Sequence, residues 1–202
     1  MMRLLDVLFP PRVDEKILRS ITDDGFLALI SPQLVPCTRP GTAVLFPFSE
    51  ESVRATIHEA KYRGSQRAFD LLSLALTEYL RDADDASRNT IIIPVPLGKM
   101  RRKERGFNQV EEIAKRAAAN LGIPVDTTLL ERTRETVSQV TLPRGKREEN
   151  MRGAFGAAHP ANPAYTYILI DDVTTTGATL QAAIEALKSA GVEHIVPLAL
   201  AH

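Results

Sequence analysis

The sequence predicts an α/β fold in which helices cover both faces of a mostly parallel central sheet. Short apolar runs of strand type alternate along the chain with longer segments of helical periodicity, an order typical of parallel sheets. Two of these runs show no alternation with polar residues, as expected of strands that are buried on both faces. The predicted strands cover residues 43–48, 90–95, 168–170 and 195–201.

Length and composition fit one domain of this kind with a modest addition. The chain has 202 residues, and 44% of them are hydrophobic, which is ordinary for a globular protein. Its first part contains a short apolar start, two adjacent prolines and a later proline-rich stretch, which indicate short elements packed on a main body. We therefore predict an N-terminal extension over residues 1–42 and one main domain over residues 43–202.

Each predicted helix has a recognisable start, periodicity or stop. Ser49 is the expected N-cap of a first helix that ends at Gly64. The basic stretch 98–106 is predicted as a loop, and residues 125–156 show little regular pattern. Three further helices are predicted from apolar residues at helical spacing, over residues 69–80, 108–121 and 180–190.

Composition excludes several classes of site. The formal net charge is zero, so any nucleic-acid binding must depend on local basic patches. The single Cys37 excludes an intramolecular disulfide and a multi-cysteine zinc site. The four histidines show no metal-ligand spacing, and dinucleotide and P-loop fingerprints are absent. With no signal-peptide pattern and no apolar run of membrane-spanning length, we expect a cytoplasmic protein without membrane insertion.

The most informative stretch, residues 168–179, joins a buried strand to a helix through two acids and a small, hydroxyl-rich turn. The first turn of a helix offers unpaired N–H groups and partial positive charge to an anion. Asp171 and Asp172 share the sign of a phosphate, so they suit the hydroxyls of a sugar or the waters around Mg²⁺. Together these features indicate a ribose 5-phosphate site; the alternative is a buried strand with an ordinary helix cap. The expected phosphate-binding residues are Thr174, Thr175, Thr176, Gly177, Ala178 and Thr179.

This stretch resembles the signature of the type I phosphoribosyltransferases, which bind phosphoribosyl pyrophosphate. The resemblance implies that the chain binds this substrate together with Mg²⁺. It also implies that Asp171 and Asp172 hold the ribose hydroxyls and help to place the metal, indirectly. No general base stands out, which suits a dissociative displacement that depends on positioning and electrostatics.

A second group of residues, 94–109, carries a dense set of cations after a predicted strand. A pyrophosphate leaving group needs such cations, because negative charge builds on it as its bond to the sugar breaks. A solvated basic loop or a contact to a nucleic-acid backbone is the alternative. We predict a catalytic role for Arg105 and pyrophosphate binding by Lys99, Arg101 and Arg102.

Residues 94–109 resemble one group within this fold more specifically, the competence protein F (ComF) family of phosphoribosyltransferase-like proteins. Pro94 to Pro96 followed by residues 101–109 is similar to that family's pattern. The ordered set of matches also includes Lys61 to Gly64, Arg132 to Thr136 with Gln139, Arg147 to Asn150, Gly153 to Phe155, and an opening over Leu8 to Arg12.

One departure from the family concerns zinc. Family members often carry a four-cysteine zinc ribbon just after that opening, whereas Val13 stands here where a cysteine is expected. A lone thiolate cannot complete a tetrahedral zinc site. We therefore predict no zinc and an N-terminal extension held by packing.

A third arginine-rich segment precedes the signature strand. In type I phosphoribosyltransferases a loop in this place closes over the substrate, and a lid would protect a reactive intermediate from water. The resemblance therefore implies a lid role for Arg132, Arg134 and Arg147; an ordinary surface loop is the alternative.

Two functions stay open at this stage. The first is a phosphoribosyltransferase, that is, a glycosyltransferase that moves the pentosyl group to an unidentified nitrogen acceptor. The second is a non-catalytic member of the fold that assists uptake of single-stranded DNA in competence, with DNA or competence-machinery proteins as partners. The sequence names neither the acceptor nor the oligomeric state, although the fold often forms homodimers.

Overall fold

The computed structural model describes residues 12–82, 89–135 and 144–202, without the side chains of residues 144, 145, 147 and 148. Its helices are α1 (Val13–Ser20), α2 (Asp23–Leu27), α3 (Glu51–Arg63), α4 (Gln66–Asp82), α5 (Lys99–Arg105), α6 (Gln109–Leu121), α7 (Arg144–Met151) and α8 (Ala178–Ser189). Its strands are β1 (Gln33–Val35), β2 (Thr42–Phe46), β3 (Thr90–Pro94), β4 (Leu130–Arg132), β5 (Phe155–Ala157), β6 (Thr166–Val173) and β7 (His194–Ala201). None of the helices described is long and apolar enough to cross a membrane.

The described strands form one main sheet in the order β1-β2-β7-β6-β3. Strands β2, β7, β6 and β3 run parallel to one another, and β1 is antiparallel at the edge. Strands β4 and β5 make a separate antiparallel pair. The mostly parallel α/β sheet predicted from the sequence is therefore confirmed.

The sheet has a hydrophobic core on each face, because successive side chains of β6 point in opposite directions. Ile168 and Ile170 belong to a core formed with α1 to α4 and α6. Tyr167 and Leu169 belong to a second core formed with α8 and the β4–β5 pair. This arrangement confirms the expected covering of both faces and explains why residues 167–170 of β6 show no alternation of apolar and polar side chains.

Three local predictions were wrong. The first long helix begins at Glu51 after Glu50 as N-cap, and Ser49 lies outside it. Residues 98–106 are not a loop, since α5 occupies most of them and Gly106 ends it at a φ of 80°. The stretch 125–156, in its described part, contains β4, α7 and β5.

The N-terminal segment packs on the main body. Leu18 and Phe26 are buried in the first core, and the rings of Phe26 and Phe46 have centroids 5.1 Å apart. Arg12 pairs with Glu59 of α3 at 2.8 Å. The domain boundary at residue 42 stays a prediction, but the described part of the segment shares its core with the strands.

The register places two loop connections side by side. Pro94 at the end of β3 pairs with Ile170 of β6, and the N–H of Val95 donates to the carbonyl of Ile170 at 2.9 Å. The segment that follows β3 and the acids at the end of β6 therefore lie at one edge of the sheet. In open α/β sheets this carboxyl-terminal edge is where ligands bind.

Candidate functional site

A cavity of about 520 Å³ opens at the carboxyl ends of β3 and β6. Its volume is in the range of small-molecule sites. Carboxylates, hydroxyls and cations line one part of it, and apolar and aromatic side chains line the rest. The polar and charged lining residues are Lys61, Arg101, Arg105, Gln109, Arg132, Asp171, Asp172, Thr175 and Thr179, with His58 and Tyr62 beside them.

Asp172 is held from three directions. It lies on the α3 and α6 side of β6, where Lys61 Nζ is 2.9 Å from Oδ1 and Gln109 Nε2 donates to Oδ2 at 2.5 Å. The N–H of Val173 also donates to Oδ1, at 2.6 Å. With only 7% of the residue exposed, this carboxylate is fixed in place by partners from three elements.

Asp171 is in a different electrostatic environment. Burial raises the pKa of Asp171 to about 7, and the charge of Asp172 adds to the shift. A hydrogen bond from the N–H of Asp172, at 2.9 Å, and the charges of Lys61 and Arg132 oppose the shift without cancelling it. The surroundings of Asp171 therefore favour its protonated form.

The turn between β6 and α8 separates two cavities. Thr175 and Thr179 line the cavity that holds the acids. Thr176 and Ala178 line a second cavity of about 660 Å³. Thr174 is buried, with its hydroxyl 3.8 Å from Cys37 Sγ. The predicted phosphate-binding residues are thus divided between the two sides of the turn.

Gly177 is required by the way this turn is packed. Its φ is +76°, and a Cβ atom placed on it would lie 2.2 Å from the carbonyl oxygen of Cys37. A side chain at this position would meet backbone that cannot rotate away. Glycine at position 177 therefore allows the segment that precedes β2 to pack closely against the turn.

Helix α5 divides its cations between the cavity and solvent. Arg101 and Arg105, four residues apart, line the cavity. Arg105 donates to Gln109 Oε1 at 2.9 Å. Arg102 is exposed and pairs with Glu111 at 3.3 Å, and the backbone N–H of Lys99 donates to Glu135 at 2.5 Å. Of the predicted pyrophosphate ligands, Arg101 is in the cavity wall, whereas Lys99 and Arg102 are outside it.

The predicted lid residues also differ in position. Arg132 lines the cavity with its guanidinium 5.4 Å from the ring centroid of Phe155, and burial together with the charge of Arg101 lowers its pKa. Arg134 donates to the carbonyls of Asn150 and Arg152 at 2.9 and 2.8 Å. Arg147 is in α7, but its side chain lies outside the described part of the protein, as does Gln139.

Sequence reasoning missed four cavity residues: His58, Lys61, Tyr62 and Gln109. Lys61, Tyr62 and Gln109 belong to motifs that carried the resemblance, yet the motifs alone assign them no partner. The histidines were judged only by metal-ligand spacing. Placing α3 beside β6 requires the tertiary structure, so no local pattern could have identified these contacts.

Metal ligands are sparse. Within the described residues no group of three or more His, Cys, Asp or Glu side chains could hold a metal ion. Asp172 is already paired with an ammonium group, so Asp171 is the carboxylate whose oxygen chemistry best suits Mg²⁺, with further ligands from water or a substrate phosphate. The absence of zinc stays a prediction.

Relatives were found by sequence, although no family model matches the chain. The chain is 37% identical to Competence protein F of Haemophilus influenzae over 106 residues, which are 52% of this chain and 46% of that protein. It is 33% identical to DNA utilization protein YhgH of Salmonella typhimurium over 127 residues, 61% of this chain and 56% of that protein. It is 27% identical to Competence protein ComFC of Bacillus subtilis over 143 residues, 70% and 55% of the two chains. The chain thus spans about half the length of the curated relatives it matches.

Two solved structures resemble the fold at low sequence identity. Adenine phosphoribosyltransferase from Leishmania tarentolae matches with a TM-score of 0.44 and 17% identity, over 83% of this chain and 79% of that one. The Giardia lamblia enzyme complexed with 9-deazaadenine matches with a TM-score of 0.38 and 18% identity, over 89% and 84%. By sequence, the chain is homologous to Competence protein F, YhgH and ComFC, as the motifs predicted.

Proposed function

We propose that the chain binds phosphoribosyl pyrophosphate and transfers its phosphoribosyl group to a nitrogen nucleophile. The observation that supports this most directly is the convergence of the acidic pair, two threonines of the following turn and three arginines in one cavity. Carboxylates can accept hydrogen bonds from the ribose hydroxyls, and guanidinium groups can bind phosphate oxygens.

The charges around the cavity suit a polyanionic substrate. Its lining includes four cationic side chains, from Lys61, Arg101, Arg105 and Arg132, and two carboxylates. Arg101, Arg105 and Arg132 would stabilise the pyrophosphate as it takes up the electron pair of the bond to C1 of the ribose. Thr175 and Thr179 would donate hydrogen bonds to the 5-phosphate.

The proposed role of Mg²⁺ follows from the different surroundings of Asp171 and Asp172. Asp171 would hold the ion, directly or through water, while Lys61 keeps Asp172 in place for the sugar hydroxyls. When bound, the ion would neutralise charge on the pyrophosphate. The binding of the substrate would then depend on Mg²⁺ and on the ionised form of Asp171.

Calorimetric titration with phosphoribosyl pyrophosphate, with and without Mg²⁺, tests the proposal. The matched control for an Asp171→Asn/Asp172→Asn variant is Asp23→Asn/Asp24→Asn, an adjacent acidic pair that is exposed and outside the cavity. We expect binding by the wild type and the control, and its loss in the cavity variant. Equal heats for all three proteins, or none for any, would reject the proposal.

A second candidate function is binding of single-stranded DNA, as the names of the relatives suggest for those proteins. The observation in its favour is the outer side of α5, where Lys99, Arg102 and Lys103 are exposed. Met100, 65% exposed, is next to Lys99 in α5, and the ring centroid of Tyr62, 64% exposed, lies 5.2 Å from the guanidinium of Arg105 in the same helix, so both offer apolar surface to bases. A Lys99→Ala/Lys103→Ala variant should weaken salt-dependent DNA binding without affecting phosphoribosyl pyrophosphate; unchanged DNA affinity would argue against this function.

A further inference from the structure

His58 contacts a carboxylate from another helix. Its Nδ1 atom is 3.3 Å from Oδ2 of Asp14, which belongs to α1, whereas His58 belongs to α3. His58 lines the cavity and Asp14 does not. Since Nδ1 is engaged by Asp14, Nε2 is the ring nitrogen that this contact leaves available.

The contact with Asp14 selects one tautomer of the imidazole. An ionised carboxylate only accepts hydrogen bonds, so the contact favours the tautomer that carries the proton on Nδ1. In the neutral ring Nε2 then has a lone pair and can accept a proton. The pair therefore has the arrangement of a general base and the acid that orients it.

The position of His58 on α3 relates it to the acidic pair. His58 and Lys61 are three residues apart and lie on one side of the helix. Lys61 contacts Asp172 at 2.9 Å, and His58, Lys61 and both acids line the same cavity. Phe48 and Tyr62 have ring centroids 6.4 and 6.0 Å from the imidazole, and both line the cavity.

We propose that His58 is a catalytic residue, the base for the nitrogen nucleophile, and that Asp14 is its positioning residue. This inference rests on the proposed transfer function. As the bond between C1 and the pyrophosphate oxygen breaks, its electron pair leaves with pyrophosphate. The nitrogen lone pair forms the new bond to C1, and the proton released from that nitrogen passes to Nε2 of His58.

Asp14 can be tested without detaching α1. Arg12 pairs with Glu59 at 2.8 Å, and Leu18 is buried against the core, so the helix keeps other contacts when Asp14 is changed. His194, exposed at the first residue of β7, is at the opposite end of the sheet from the cavity and provides a matched histidine control.

The experiment measures pyrophosphate release from phosphoribosyl pyrophosphate and Mg²⁺, with ammonium chloride and a panel of nucleobases as nucleophiles. We expect His58→Ala to lose about 100-fold in kcat, the lower range for a general base, with unchanged substrate binding. Added imidazole should raise the activity of His58→Ala to at least a tenth of the wild-type activity. It should not restore activity to Asp171→Asn. His194→Ala should match the wild type.

A second readout does not depend on turnover. Nitrogen chemical shifts of the histidine side chains at pH 8.5 report which ring nitrogen carries the proton. We expect protonated Nδ1 in His58 of the wild type, and a mixture of tautomers after Asp14→Asn.

The outcomes distinguish the inference from the function on which it rests. Substrate binding and pyrophosphate release that do not change in His58→Ala, or a wild-type His58 protonated on Nε2, overturn the role of His58 alone. Binding without release for every nucleophile overturns both this role and the transfer step. Absence of substrate binding overturns the proposed function itself.

Discussion

The free energy of unfolding should respond to Asp171→Asn in a pH-dependent way. Burial, and then the charge of Asp172, raise the pKa of Asp171 from 3.8 to about 7. A carboxyl group with a raised pKa favours the folded state only while it is protonated. The stability that it contributes is present below the pKa of the unfolded chain and is lost as pH rises toward 7.

The pKa shift sets an upper limit on the change in the free energy of unfolding that Asp171→Asn causes. One pKa unit corresponds to about 1.4 kcal/mol, so the full shift would be worth roughly 4 kcal/mol. Asp171 is only half-buried beside an open cavity and interacts with a second carboxylate, which together reduce the expected effect to ~2 kcal/mol. Asparagine keeps the oxygen that accepts the hydrogen bond from the N–H of Asp172.

Urea unfolding followed by circular dichroism at pH 5 and pH 8 provides the assay. We expect Asp171→Asn to be more stable than the wild type at pH 8, with a smaller difference at pH 5. Asp82→Asn removes the same charge from an exposed position at the end of α4, and its effect should not vary with pH. A variant that is destabilised at pH 8, or equally affected at both pH values, would refute this account of the acidic pair.

Three further substitutions test the packing of the site. Gly177→Ala should lower the free energy of unfolding by at least ~2 kcal/mol in urea and abolish substrate binding, whereas Gly191→Ala, which has positive φ but open space, should lose less. Lys61→Met should lose ~2 kcal/mol because it removes the cationic partner of a buried carboxylate, and Lys115→Met, on an exposed helix face, should change stability by under ~0.5 kcal/mol; similar losses for both would contradict the ion pair's importance. Asn108→Ala should lose ~2 kcal/mol by thermal denaturation, since its buried side chain both caps α6 and donates to the end of β3; a negligible change would be inconsistent with these bonds.

The features of the cavity that the sequence indicates are those encoded in contiguous residues. The apolar run of β6 followed by two acids predicts where the carboxylates lie along the chain, because strand burial and turn chemistry are local properties. The edge shared by the ends of β3 and β6 follows from their parallel direction, which the alternation of strands and helices predicts. Neither needs knowledge of distant contacts.

The parts that were missed depend on distant residues or on competing signals. Lys61 and Asp172 are far apart in sequence, and only the packing of α3 on the sheet makes them an ion pair. The basic segment of α5 was predicted as a loop, although Lys, Met, Arg and Glu are good helix formers and Gly98 and Gly106 mark the ends of the helix. Local propensity was the better guide there.

The packing of Phe26 against Phe46 has a consequence for how the protein can be divided. A polypeptide that starts at residue 43 would retain all but the first residue of β2 and the other described parallel strands, but it would present the Phe46 ring and part of α3 to solvent. Such a fragment should aggregate or bind hydrophobic dyes, because exposed contiguous apolar surface promotes association. The described residues that precede β2 are therefore needed for solubility of the remainder, and a shorter autonomous module should not be sought by trimming at the start of β2.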